Sequence, residues 1–320
     1  MRTKGPMVVA LGGNAISRPG EEGNIEQQFR NTRETARHLT DLVEAGCRLI
    51  ITHGNGPQVG NVLRRVEIAA SEVYRLPLDI CGADTQGGMG YMIAQCLRNE
   101  LARRGNPRGV ATLVTSVEVD PEDPDFQNPT KPIGDFYNAA RAEELSNQRG
   151  WLMVEIPGQG FRRVVPSPKP LAIVEIKLIR QLAAQGELLI TAGGGGVPVI
   201  RTADGDHVGV EAVIDKDRTS GRLARAIGAA TFLIVTNIER VALNFRQPNE
   251  KFLERITLAE AREYYDAGHF PAGSMGPKME AAIDFLEGAR DPDACVIICG
   301  LRHMAAALSG HSGTWILKKG

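Results

Sequence analysis

Short apolar, β-branched runs alternate with amphipathic stretches along almost the whole chain. The first run, MVVAL at 7–11, stops at Gly12 and Gly13. In residues 25–44, Ile25, Phe29, Thr32, Ala36, Leu39 and Val43 then recur at steps of three or four, which predicts one apolar helix face. Gly46 ends that helix, and RLIIT at 48–52 reads as the next strand. HGNG follows and leads to Pro57, a favoured helix start because the N–H that proline lacks has no partner there in any case. A third helix is predicted over roughly 85–104, and GVATLVTSVEV returns as strand.

The rhythm breaks between about 117 and 166. VDPEDPDFQNPTKPIG carries four prolines, and WLMVEIPGQGFRRVVPS has the pattern of a hairpin turning at Pro157–Gly160. This region reads as a small excursion from the main sheet. Alternation then resumes with a helix near 172–185, strand and loop in ELLITAGGGG, and a hairpin-like VPVIRTADGDHVGVEAVI. A helix near 217–228, the strand TFLIVTN, helices near 257–267 and 275–289, the strand ACVIICG and a closing GTWILKK complete the chain. Strands alternating with helices predict an α/β fold whose mainly parallel central sheet is covered on both faces.

Composition narrows the function classes. The 320 residues allow two domains or one large α/β unit. With 37 basic against 38 acidic residues, the net charge is -1, and no basic footprint for nucleic acid exists. The five cysteines lie mostly inside apolar runs, which points to reduced thiols in a cytoplasmic protein. The opening apolar run is too short for a signal peptide, and no stretch is long enough to cross a bilayer, so no membrane role is expected.

Three glycine-rich loops follow predicted strands: LGGN at 11–14, HGNGPQVG at 53–60 and AGGGGVP at 192–198. Strand ends of a parallel sheet share one edge, so these loops are expected to converge on a crevice that holds an anion. HGNGPQVG is no dinucleotide fingerprint, because its last glycine is one residue late and no acidic residue ends a second strand at the right distance. Asp79 has about that distance but is read as part of a proline-containing loop. No Walker A pattern, zinc motif or nucleophile elbow is present.

A phosphate loop needs cations, and none lies between Lys4 and Arg18. Three lysines stand at junctions of elements instead. Lys131 sits between Pro129 and Pro132, Lys216 lies in VIDKD between Asp215 and Asp217, and Lys278 belongs to the first turn of a predicted helix. Asp217 is expected to cap the helix that follows it, leaving Asp215 as the functional carboxylate.

Taken together, VVALGGNAI, THGNGPQVGN, DTQGGMGY, NPTKPIG, RRVVPSPKP, GGGGVPV, GVEAVIDKD and GSMGPKMEAA closely resemble the carbamate kinases of the amino-acid kinase family, over essentially the whole chain. The resemblance implies a single amino-acid kinase domain, a three-layer α/β/α sandwich. Its N-terminal lobe, about 1–200, would hold carbamate or carbamoyl phosphate, with a protruding subdomain at about 117–166. Its C-terminal lobe, about 201–320, would hold the nucleotide. Also implied are a homodimer and magnesium carried by ATP or ADP, with no protein metal ligands.

By the same resemblance, Lys131, Lys216, Lys278 and Asp215 are the catalytic groups. Gly12, Gly13, Asn14, Gly54, Asn55 and Gly56 surround the transferring phosphoryl group, and Lys216, Asn237, Met275 and Lys278 contact the nucleotide. Phe161 stands where a tryptophan is expected, and HFPAGSM reverses an expected Ala-Pro order. Carbamate is already an anion, so its phosphorylation needs no general base. It does need positive charge, since two unit charges about 4 Å apart repel by roughly 4 kcal/mol at an effective dielectric of 20. Competing readings are another carboxylate-phosphorylating amino-acid kinase and a nucleotide-binding regulator without catalysis.

Overall fold

A computed structural model describes residues 5–18, 20–271 and 275–319, without the side chain of Asn14. Gly273 and Ser274, within the GSMGPK and HFPAGSM segments, lie outside the described residues. The chain begins with β1 (Pro6–Leu11), α1 (Ile25–Glu44), β2 (Arg48–His53), α2 (Gly56–Ala69), α3 (Leu78–Arg103), β3 (Val110–Thr112) and β4 (Ser116–Val119). It continues through β5 (Lys131–Tyr137), α4 (Ala139–Arg149), β6 (Leu152–Ile156), β7 (Gly160–Val165), β8 (Pro170–Ile173), α5 (Ile176–Ala184) and β9 (Leu188–Ile190). Next come β10 (Val197–Arg201), β11 (His207–Gly209), α6 (Lys216–Ile227), β12 (Thr231–Thr236), β13 (Ala242–Leu243), β14 (Lys251–Phe252) and β15 (Arg255–Thr257). The last elements are α7 (Leu258–Asp266), α8 (Gly276–Gly288), β16 (Cys295–Gly300), α9 (Met304–Leu308) and β17 (Thr314–Leu317).

The central sheet has eight strands in the order β15-β17-β16-β12-β1-β2-β9-β3, and only the β16–β17 pairing is antiparallel. Its strands read as unbroken apolar runs because both faces are covered. In β1, Val8 and Ala10 enter the core shared with α6 and α8, whereas Met7, Val9 and Leu11 enter the core shared with α1 and α3. β12 divides in the same way, with Phe232 and Ile234 on one face and Leu233 and Val235 on the other.

A second sheet of four strands runs β11-β10-β4-β8, and a third runs β5-β7-β6. The third sheet and α4 rest on α2, where Ile133 and Val165 pack with Val59, Leu78 and Cys81. Ion pairs Arg64–Asp135 and Arg149–Glu67 tie it to α2, and Arg163–Glu211 ties it to the segment before α6.

Three sequence expectations need correction. α3 starts at Leu78 rather than near 85, with Pro77 as its N-cap, so Asp79 lies in the first helical turn and not in a loop. GVATLVTSVEV is two strands in two sheets. The break falls at Thr115, whose N–H donates to Gln86 Oε1 at 2.9 Å and whose carbonyl accepts from Gln86 Nε2 at 3.0 Å, so a buried amide replaces the ladder. The segment at 172–185 is a strand end followed by a helix that starts only at Ile176.

Candidate active site

The C-terminal ends of β1, β2, β12 and β16 open on one edge of the sheet, and a cavity of about 820 Å³ lies over it. Gly12, Gly13, Lys216, Asn237, Lys278 and Gly300 are among its walls. The Gly12 N–H donates to the Val235 carbonyl at 3.0 Å, and the Gly54 N–H donates to the Leu11 carbonyl at 3.1 Å. These two amides therefore serve the sheet and not a ligand. Among the described residues, the N–H groups of Gly13, Asn55 and Gly56 have no such acceptor, and the last two open the N-terminus of α2, which favours anions. A Cβ on Gly12 would stand 2.8 Å from the Val235 oxygen, so only glycine permits the strand contact there.

The third glycine loop is closely packed by protein groups. A Cβ on Gly193 would lie 2.4 Å from His53 Nε2, and one on Gly194 would lie 2.2 Å from Asn55 Nδ2. A Cβ on Gly195 would meet the Ile214 carbonyl at 2.3 Å, and one on Gly196 would meet Val117 at 2.3 Å. Gly193–Gly196 thus form a socket for protein groups on their Cα faces. His53 and Asn55 of the second glycine loop occupy the missing Cβ positions of Gly193 and Gly194, and Ile214 and Val117 crowd those of Gly195 and Gly196.

The lysines meet through two carboxylates. Lys131, first residue of β5, donates from Nζ to Asp215 Oδ2 at 2.9 Å. Lys216 donates to Asp217 Oδ1 at 2.5 Å, and Lys278 donates to Asp217 Oδ2 at 3.1 Å. Three ammonium groups thus face two carboxylates. Asp217 is nearly sealed, its side chain 4% exposed, against 13% for Lys216 and 17% for Lys278.

Asp215 keeps the expected pairing with an active-site lysine, Lys131, but the capping role expected of Asp217 also falls to it. Asp215, not Asp217, caps α6, its Oδ1 accepting from the N–H groups of Asp217 at 2.9 Å and Arg218 at 3.4 Å. Asp217, not Asp215, holds Lys216. Burial pushes the Asp215 carboxyl up, but the charge and hydrogen bond of Lys131, the charge of Lys216 and the Asp217 N–H outweigh it and hold the group at about 2.

A second cavity of about 320 Å³ adjoins the first and shares Thr236, Asn237, Ile238 and Lys278 with it. Ala242, Phe245, Phe270, Pro271 and Met275 supply apolar wall. Asn237 stands where the two cavities meet, and Met275 immediately precedes α8.

The sequence profile of the amino acid kinase family matches residues 6–298. The carbamate kinase of Pyrococcus furiosus is 45% identical over 97% of this chain and 98% of its own length, and that of Clostridium perfringens is 44% identical over 98% and 99%. The solved structure of carbamate kinase from Giardia lamblia bound to AMP-PNP superposes with a TM-score of 0.93 at 39% identity, covering 99% of both chains. The chain belongs to the amino-acid kinase family, among its carbamate kinases. It has the three-layer fold of that family, a mainly parallel sheet between two helical layers, and it is a phosphotransferase.

Within this amino-acid kinase, the sequence reading gave Asp217 only a capping role and passed over His53. His53 ends β2 with 1% exposure. Burial and the nearby Lys216 charge lower its imidazole to about 4, against a smaller upward pull from the Gly54 carbonyl.

His53 also makes stability depend on pH. A histidine with a folded value near 4 and an unfolded value near 6.5 stabilises the fold fully above pH 6.5, and that contribution fades as pH falls toward 4. The loss expected over this window is about 3 kcal/mol. Urea titrations at pH 7 and pH 4.5 should show it, and His53→Asn, which has no titrating ring, should flatten the difference.

Proposed function

We propose that the protein catalyses reversible phosphoryl transfer between ATP and carbamate, giving ADP and carbamoyl phosphate. The observation that carries this reading is the pairing of Lys216 and Lys278 on one buried carboxylate, facing the Gly12–Gly13 turn across a single cavity. When phosphates arrive, the two ammonium groups have oxygen acceptors on the ligand side while Asp217 keeps their stems aligned. Lys216 then bridges phosphoryl oxygens as charge moves toward ADP, and Lys278 meets the γ-phosphate from the nucleotide side. Catalysis of this kind is positioning plus charge stabilisation, and the carbamate oxygen attacks without a base.

The apolar walls Phe245, Phe270 and Met275 suit an adenine, with Asn237 beside it. Magnesium is proposed to enter on the nucleotide's phosphates, because both oxygens of Asp217 already accept from lysines and Asp215 is occupied by Lys131 and backbone amides. On this reading carbamate or carbamoyl phosphate sits toward the N-terminal lobe, about residues 1–200, and the nucleotide sits in the C-terminal lobe from about residue 201. The protruding part, about 117–166, carries Lys131. We also infer a cytoplasmic homodimer that makes ATP from carbamoyl phosphate in arginine or purine breakdown. The exposed Ile80 and Tyr91 on the outer face of α3 support a subunit contact, which light scattering would measure.

The deciding experiment supplies ADP, magnesium and carbamoyl phosphate to the purified protein and measures ATP. ADP binding without ATP would favour a regulator, and turnover only with larger carboxylates would favour another amino-acid kinase. Lys131→Ala is expected to lower kcat/KM for carbamoyl phosphate by about 100-fold or more, as for a lost oxyanion donor. Its ADP dissociation constant, measured by calorimetry, should stay near that of the wild type, since Lys131 comes from β5 and not from the nucleotide cavity.

A further inference from the structure

His53 touches no expected ligand, yet it stands directly behind the reaction centre. Its Nδ1 lies 3.1 Å from the Gly54 carbonyl, and that carbonyl can only accept, so the proton is assigned to Nδ1. The opposite edge of the ring, Nε2, fills the place where a Gly193 Cβ would be. Gly54 is therefore gripped at both ends, by its own N–H on the Leu11 carbonyl at 3.1 Å and by its carbonyl on His53. Its open Cα face lies against the Lys216 stem, where an added Cβ would be 3.2 Å from Cδ and 3.4 Å from Cε. One strand position earlier, Thr52 Oγ1 meets Ser220 Oγ at 2.6 Å and ties β2 to α6, the helix that Lys216 begins.

We propose that His53 is a positioning residue for phosphoryl transfer, seated in the socket left by Gly193 and setting the Gly54 backbone that aligns Lys216. The inference rests on the kinase reading above and names a residue of that same site. The imidazole works as a spacer between two loops. Remove it and Gly54 relaxes toward Gly193, away from Lys216; add a methyl at Gly193 and the ring is pushed into Gly54. A misplacement of about 1 Å is enough to cost on the order of 100-fold in rate.

The two substitutions offset each other in space, which gives a test that a plain stability role does not mimic. His53→Ala and Gly193→Ala are each expected to lower kcat about 10- to 100-fold, with the KM for ADP little changed. The double variant His53→Ala/Gly193→Ala should recover much of that loss, because the new methyl occupies part of the emptied ring site. His53→Asn, whose Nδ2 can donate to the Gly54 carbonyl as Nδ1 does but which stops short of the Gly193 socket, should recover only part of the loss. Circular dichroism and thermal melts on all four variants identify any that fail to fold, and the Asn and Gly193 variants carry the test if His53→Ala does. Losses that simply multiply in the double variant, or melting temperatures that fall while kcat holds, would overturn the proposal. A wild-type protein that makes no ATP would instead sink the kinase reading itself.

Discussion

Lys216→Ala is expected to lower turnover by about 100- to 1,000-fold, the cost of one lost donor to a developing oxyanion. The protein should remain folded, since Lys216 begins α6 after a cap that Asp215 supplies through its own carboxylate. ADP should still bind through the second cavity and Lys278, with affinity reduced and measurable by calorimetry. Lys216→Arg is expected to fail nearly as badly. The stem passes the open face of Gly54 and ends 2.5 Å from Asp217, which leaves no width for a planar guanidinium. Steady-state rates in the ATP-forming direction check both variants, and near-normal turnover of either would remove Lys216 from its place beside the transferring group.

Much of this arrangement was legible in the sequence wherever the local signal and the final environment agree. The predicted helix at 25–44 matches α1 because its apolar step is regular and Asn24 caps it. β1, β2, β12 and β16 were legible because two-sided burial writes an unbroken apolar run. α4 was missed because it stands on the excursion with only Ala142 and Leu145 buried, too little apolar periodicity to register. The early start of α3 was hidden by Pro77, which breaks a helix from within but serves as its N-cap here.

At the site, residue types were legible and partnerships were not. Gly12–Gly13 without a nearby cation suggested that lysines must arrive from elsewhere, and Lys131, Lys216 and Lys278 do gather through Asp215 and Asp217. Which aspartate capped and which oriented depended on the turn of α6, a choice settled by packing against α8 and invisible to a propensity rule. The glycine socket was invisible for a similar reason. Glycine that makes room for a ligand and glycine that makes room for His53 look alike until the neighbour is known.

Asp217→Asn should be the most damaging isosteric change in the protein. The carboxylate binds two ammonium groups, and each lies within hydrogen-bond distance of a different oxygen. With the charge removed, the two ammonium groups repel each other with no counter-charge between them. Breaking a buried pair of this kind costs about 3–5 kcal/mol, so the urea midpoint should fall clearly. Turnover should fall at least as far as in Lys216→Ala, because both lysines lose their alignment at once. ADP affinity should hold or rise, since the site gains net positive charge. Stability and catalysis are then separable: adding Lys278→Met to Asp217→Asn removes the repulsion and should restore much of the urea midpoint without restoring rate. If Asp217→Asn kept both its midpoint and its turnover, the two lysines would be held by something other than this carboxylate.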